Sequence, residues 1–289
     1  MTGIWFKGRN LGMANGVSAM GMGLGLMLGP LVSATVLSPL LGGWRHVMFV
    51  LGAISALVGI LWMLLGKEPR QAGAPAKNSN PVSFRLAIGK LVRVKALWLT
   101  GVTIMARGGS VTGMIGFLPL YLRDQGWSPA SADGALTVFF AASTFCVVPL
   151  TLLSDKLGSR KAILFPAIVV TMLSIGLLPF ASGAAVWILM VLAGMSMDGF
   201  MATICSMVLE TEAIGPAYAG TALGLVFTIQ QIGGVVSPPL GNSLESVSSG
   251  MPFIFWGSIS LIAFVTLFFI KETGWRRKRI TVAGIEAET

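Results

Sequence analysis

The sequence predicts an all-α protein, a polytopic membrane bundle of about eight transmembrane helices. Of its 289 residues, 54% are hydrophobic and only 11% charged; a soluble domain carries about 25% charged residues. Mean hydropathy is +0.83. Several apolar runs exceed the roughly 20 residues a helix needs to cross a bilayer. The runs are continuous rather than alternating, which argues against a β-barrel.

The spans are expected over residues 11–40, 46–65, 96–122, 134–153, 162–181, 185–209, 217–241 and 252–270. Between the second and third lies "KEPRQAGAPAKNSNPVSFRLAIGKLVRVK", residues 67–95, polar and basic at both ends. It reads as a linker, with a short amphipathic helix over 83–95 at the membrane surface. No signal-peptide pattern opens the chain.

The net charge of +9 is a matter of topology. If the linker faces the cytoplasm, alternate loops do too, and 17 of the 20 basic residues fall on that side. Only Arg45 and Arg123 fall opposite, and Arg107 lies within a span. This is the positive-inside pattern. It places the C-terminus in the cytoplasm and the basic loops against acidic lipid heads, and it removes the case for nucleic acid. Cys146 and Cys205 fall in apolar runs and read as packing residues. His46, the single histidine, has no partner motif, so neither metal nor cofactor is implied.

The first and seventh spans repeat one another. At an offset of 208, Gly12, Gly16, Gly25 and Pro30 fall on Gly220, Gly224, Gly233 and Pro238, and Gly29 falls on Ser237. Small residues three or four apart let helix backbones approach closely, and the proline permits a bend. Gly25, Gly29, Pro30, Gly233, Gly234 and Pro238 are therefore expected at helix contacts. A repeat means two homologous halves. Spans three to eight would form one complete half, and spans one and two the end of the other. On that reading four further helices are expected before Met1.

Three stretches then carry a resemblance. "GLGLMLGP" at 23–30, "GWRHVMF" at 43–49 and "LSDKLGSRK" at 153–161 resemble the fifth helix, the entry to the sixth, and the loop between the eighth and ninth helices of the major facilitator superfamily. The resemblance covers the chain as helices five to twelve of that twelve-helix transporter fold, although Thr151 stands where the loop motif often has glycine. It implies the last two helices of an N-terminal half over 1–66, a cytoplasmic linker over 67–95, a six-helix C-terminal half over 96–272 and a cytoplasmic tail over 273–289. It also implies two bundles rocking about a central site lined by the first and fourth helices of each half. In this chain those are the spans holding Arg107 and Asp198.

These are the ionisable residues well inside a span. Each lies about 12 residues from one end, roughly 18 Å deep and near the midplane. A charge left in lipid costs several kcal/mol, so each should face a polar cavity or a partner. Thr100, Thr103 and Ser110 lie at i−7, i−4 and i+3 from Arg107, on one helical face. The stripe reads as a substrate-binding cavity wall, with a buried hydrogen-bonded strut as the alternative reading of Arg107. Asp198 can pair with Arg107, carry a proton, or do both in turn. A carboxylate beside a guanidinium holds its proton less tightly than one desolvated alone, so rocking that changes their distance couples proton binding to access. Gln230 and Gln231 can bind substrate or join helices. Thr137, Thr144 and Thr151 recur every seven residues, where bonding to the helix's own carbonyls is the simpler reading.

At the cytoplasmic ends, Asp155, Lys156, Arg160 and Lys161 gather with Glu210 and Glu212. They form either a solvated loop or a gate; the resemblance implies the gate, one that helps hold the outward-open state. No nucleophile–base set and no phosphate-binding loop ending in Lys-Ser/Thr appears, which disfavours an enzyme and ATP drive. The expected function is secondary-active transport of a small solute by alternating access in the inner (plasma) membrane, coupled to protons or another ion. Arg107 favours an organic anion. If Asp198 neutralises it, a neutral or amphipathic solute fits, as in drug efflux. A non-transporting receptor or scaffold and a channel are the alternatives.

Overall fold

The computed structural model describes residues 21, 23–29, 32–66, 84–215 and 218–273, apart from the side chains of Ala34, Thr35 and Phe84. Gly12, Gly16, Pro30, most of the linker and the tail beyond Thr273 lie outside the described residues. The chain divides into two compact units, 1–80 and 81–289.

In the first unit a π-helical turn, Ser33–Leu37, runs into α1 (Ser38–Leu41). Gly42 ends it in the left-handed conformation at φ 71°, which a residue without Cβ adopts freely. The 22-residue α2 (Trp44–Leu65) follows, with Val47 its one buried residue. A Cβ built at Gly25 or Gly29 meets nothing within 4 Å. The close helix approach expected at those two glycines is therefore not made among the described residues.

The second unit opens with the short amphipathic helix α3 (Phe84–Leu91), which buries Ala87 and Leu91. Six spans follow: α4 (Lys95–Asp124), α5 (Pro129–Leu157), α6 (Lys161–Gly176), the pair α7 (Ala184–Met195) and α8 (Met197–Leu209), α9 (Ala219–Ser243), and α10 (Met251–Phe269). α2, α5, α7 with α8, α9 and α10 are long and apolar enough to cross a bilayer. One span departs from expectation. Residues 185–209 read as a continuous helix, but it is interrupted at Ser196, which closes α7 and opens α8 at φ −85°, ψ −9°.

α4 packs against α9 and α10, α6 against α10, and α5 against α7 and α8. The α4–α9 seam is closed by glycines. A Cβ at Gly233 would collide with the Met105 carbonyl, one at Gly109 would lie 2.9 Å from the Gly233 carbonyl oxygen, and one at Gly101 would lie 2.6 Å from Ile229 Cδ1. Gly234 is looser, with Thr112 Oγ1 at 3.8 Å. So of the expected packing positions in α9, Gly233 makes the tight contact. Trp256 of α10 is fully buried, wedged against Gly113 and Gly241, and donates to the Ser237 carbonyl at 3.2 Å.

Candidate functional site

Arg107 lies in the middle of α4 with 3% of its surface exposed. Its Nη2 donates to Thr171 Oγ1 of α6 at 3.1 Å, to the Ser196 carbonyl at 2.9 Å and to Ser196 Oγ at 3.2 Å. Its Cζ sits 4.2 Å from the centre of the Phe200 ring, a cation–π contact. Nε is buried with no hydrogen-bond partner. The guanidinium thus meets the junction of α7 and α8, where the Ser196 carbonyl also accepts from the Phe200 amide at 3.3 Å.

Asp198 sits in the first turn of α8, part-buried. A carboxylate there is favoured by the helix dipole. Oδ2 accepts from Ser143 Oγ of α5 at 2.6 Å, and the Asp198 amide donates back to the same oxygen at 3.1 Å. None of the ion pairs among the described residues joins Asp198 to Arg107. The two charges lie on either side of Ser196, each held by a hydroxyl from a neighbouring span.

The rest of the polar stripe is not an open wall. Thr100 is 3% exposed, and Thr103 and Ser110 are fully buried. Thr100 bonds its own helix at Ala96. Thr103 bonds Leu99 and meets Thr266 Oγ1 at 2.7 Å. Ser110 donates to the Trp256 carbonyl at 2.6 Å and accepts from Ser260. Periodicity puts these residues on one face, of which Thr103 and Ser110 meet α10. A polar helix face in a membrane is satisfied as well by a partner helix as by water. The more open face of α4 carries Val102, Met105, Gly108 and Thr112 instead.

Gln230 belongs to that more open face. Its Cγ lies 3.0 Å from a Cβ built on Gly108. Gln231, one residue on, is turned away and exposed. The structure therefore separates the two amides. Thr137, Thr144 and Thr151 each bond a carbonyl four residues back in α5.

At the other candidate site, Gly158 ends α5 at φ 63°, a left-handed turn that brings the loop back across the helix end. Arg160 then reaches Asp155 at 2.6 Å and Glu210 at 2.6 Å. The hydrogen bonds that Arg160 donates to Glu210 and then to Asp155 outweigh burial and hold the guanidinium proton beyond its ordinary range. Glu272 was not legible as part of this cluster. It accepts from Ser159 Oγ at 2.7 Å and from the amides of Arg160 and Lys161 at 2.9 and 3.1 Å, so it caps α6 from beyond the end of α10. Thr273 Oγ1 donates to Glu210 at 3.0 Å. Lys161 Nζ donates to the Phe268 carbonyl at 3.1 Å. Lys156 and Glu212 are exposed, outside the contacts seen. Ser143, Thr171, Ser196 and Phe200 were also missed. Ser143, Thr171 and Ser196 carried one signal, small polar residues inside apolar runs; Phe200 carried none.

Six apolar helical segments, two charged side chains about Ser196 and a charged network at one end define a polytopic helical membrane protein. The family model "Major Facilitator Superfamily" matches residues 1–238, and the chain belongs to that superfamily. It is similar to the quinolone resistance protein NorA of Staphylococcus aureus, 31% identical over 157 residues, covering 53% of this chain and 39% of the relative. It is also similar to the uncharacterized MFS-type transporter YcaD of Salmonella paratyphi B, 29% identical over 248 residues, 84% of this chain and 60% of the relative. The chain thus spans less than two thirds of the length of either relative.

Proposed function

We propose that the chain supplies the second-half helices of a proton-coupled secondary transporter that moves an amphipathic small solute outward across the inner (plasma) membrane, its C-terminus in the cytoplasm. The carrying observation is the arrangement about Ser196. One span is broken there, a guanidinium donates to the carbonyl at the break, and a carboxylate two residues on is held by a different helix. Protonating Asp198 removes its charge near Arg107 and weakens the hydrogen bond its carboxylate accepts from Ser143. Both changes act on the two sides of the same hinge.

The solute reading follows from what Arg107 is already doing. Its Nη2 donors are taken by Thr171 and Ser196 and its face by Phe200, which lowers the case for an organic anion docking on it. On α4, Val102, Met105 and Thr112 are less buried than the polar stripe, and Gln230 lies beside Gly108 on the same side; a mainly apolar face with one amide suits an amphipathic solute. The name of the Staphylococcus aureus relative, a quinolone resistance protein, points the same way.

The test is uptake of a fluoroquinolone into proteoliposomes under an imposed pH gradient. Asp198→Asn should abolish the gradient-driven part and leave insertion intact. Full gradient-driven flux in that variant defeats the coupling role of Asp198. Flux that is unsaturable at high solute defeats the carrier mechanism.

A further inference from the structure

A cavity of about 460 Å³ opens at the end of the bundle opposite the Arg160 network. It lies between the C-terminal end of α4, the segment after α6 and the turn before α10. Tyr121, some 14 residues along α4 from Arg107, is about 21 Å away by helical rise. This site is separate from the transport site and does not rest on the reading given for it.

Six lining side chains carry polar atoms: Tyr121, Gln125, Trp127, Ser182, Ser248 and Ser249. Among the described residues, none of these six side chains has a hydrogen bond to protein. Tyr121, at 6% exposed, is the most buried of the six residues. No Lys, Arg, Asp, Glu or His lines the cavity. The nearest turn of α4 carries Arg123, which Asp133 engages at 2.8 Å, and Asp124, which is exposed and outside the lining. Leu122 and Pro179 form apolar wall, and Phe180, 76% exposed, and Ile254, 38% exposed, stand at its edge. Gly250 lies so near Pro179 that a Cβ would come within 2.6 Å. That contact fixes the turn before α10 against the end of α6 and sets the shape of the hollow.

Uncommitted hydroxyl, amide and indole donors without charge suit an uncharged head rich in hydroxyls. A charged head would find no counter-charge in the lining. The apolar edge at Phe180 and Ile254 suits an acyl or alkyl chain, and aromatic residues at this depth mark the bilayer interface. The geometry points to a binding site for an uncharged amphiphile of the bilayer, its hydroxylated head among Gln125, Ser182, Ser248 and Ser249 and its chain along Phe180 and Ile254.

The experiment uses the full chain in lipid nanodiscs and a dodecyl glucoside carrying a diazirine near its head. Probes with the same chain and a trimethylammonium or sulfate head serve as controls. Cross-linked peptides are mapped by mass spectrometry. The glucoside should label residues 121–127, 179–182 and 248–254 at least fivefold more than either charged probe. Ser182→Trp and Ser249→Trp, both at exposed positions, should each cut that labelling at least fivefold and leave labelling elsewhere on the chain unchanged. Even labelling over the apolar surface overturns the proposal, as does equal labelling by a charged probe. Displacement by methyl glucoside at concentrations matching the amphiphile would mean a soluble-sugar site and overturn it too. Should both tryptophan variants fail to insert, the wild-type map and the ranking of the three heads decide alone.

Discussion

Replacing Arg107 by Met asks what the buried charge is for. Its stabilising contacts are bonds from Nη2 to Thr171 and Ser196 and a ring contact with Phe200. Hydrogen bonds between helices in a membrane average about 0.6 kcal/mol and reach about 1.7. A desolvated cation–π contact adds about 2 kcal/mol. Against them stands a mid-span cation with no ion-paired carboxylate, which costs about 2.5–3.5 kcal/mol even on the lenient insertion scale. The unbonded Nε costs about 1–3 kcal/mol more. The two sides nearly cancel. Removing the guanidinium also strands no acceptor. Thr171 and Ser196 keep an acceptor for the one proton each carries, at the Ala167 and Ala193 carbonyls or in one another at 2.9 Å, and the Ser196 carbonyl still accepts from the Phe200 amide at 3.3 Å. We expect Arg107→Met to shift unfolding free energy by no more than about 2 kcal/mol in either direction, while gradient-driven uptake falls at least tenfold. Reversible unfolding in mixed micelles measures the first and proteoliposome flux the second. A loss above about 4 kcal/mol would make Arg107 a structural strut and refute the reasoning; so would normal flux.

Three other outcomes follow from the geometry. Gly233→Leu should separate α4 from α9, because its first side-chain atom already collides with Met105; a cost of at least about 2 kcal/mol is expected, read from the same unfolding assay, with Gly234→Ala close to neutral. Glu272→Ala removes the acceptor for the Ser159 hydroxyl and two amides at the start of α6 and should cost about 1 kcal/mol, seen as faster amide exchange over 160–164. Glu210→Gln should change stability by less than about 1 kcal/mol because the pair with Arg160 is partly solvated. Its effect should appear instead as altered access of cysteines introduced at the two ends of the bundle; unchanged labelling from both sides would show that the network is no gate.

How much of this was legible depends on the kind of information each residue carries. The spans from α2 to α10 could be read from apolar run length, because a helix in lipid must satisfy its own backbone and cover the hydrocarbon thickness. Arg107 and Asp198 stood out for the same reason, as charges where a charge is costly. The break at Ser196 was not legible, since "LAGMSMDGF" contains no proline and its glycines fit a continuous helix equally well. Glu272 lies 112 residues from Arg160, and nothing in its local pattern says it caps a distant helix.

Composition and periodicity alone determined that this is a many-helix membrane protein, where its helices run and which face of α4 is polar. What lies opposite that face was settled only in three dimensions: α10 covers Thr103 and Ser110, the α7–α8 break receives Arg107, and Ser143 takes Asp198. The physical reason is that helical spacing fixes the direction of a side chain from its own axis, whereas its partner depends on how separate helices cross, and their crossing is set by close contacts such as Gly109 on Gly233 between residues far apart in the chain.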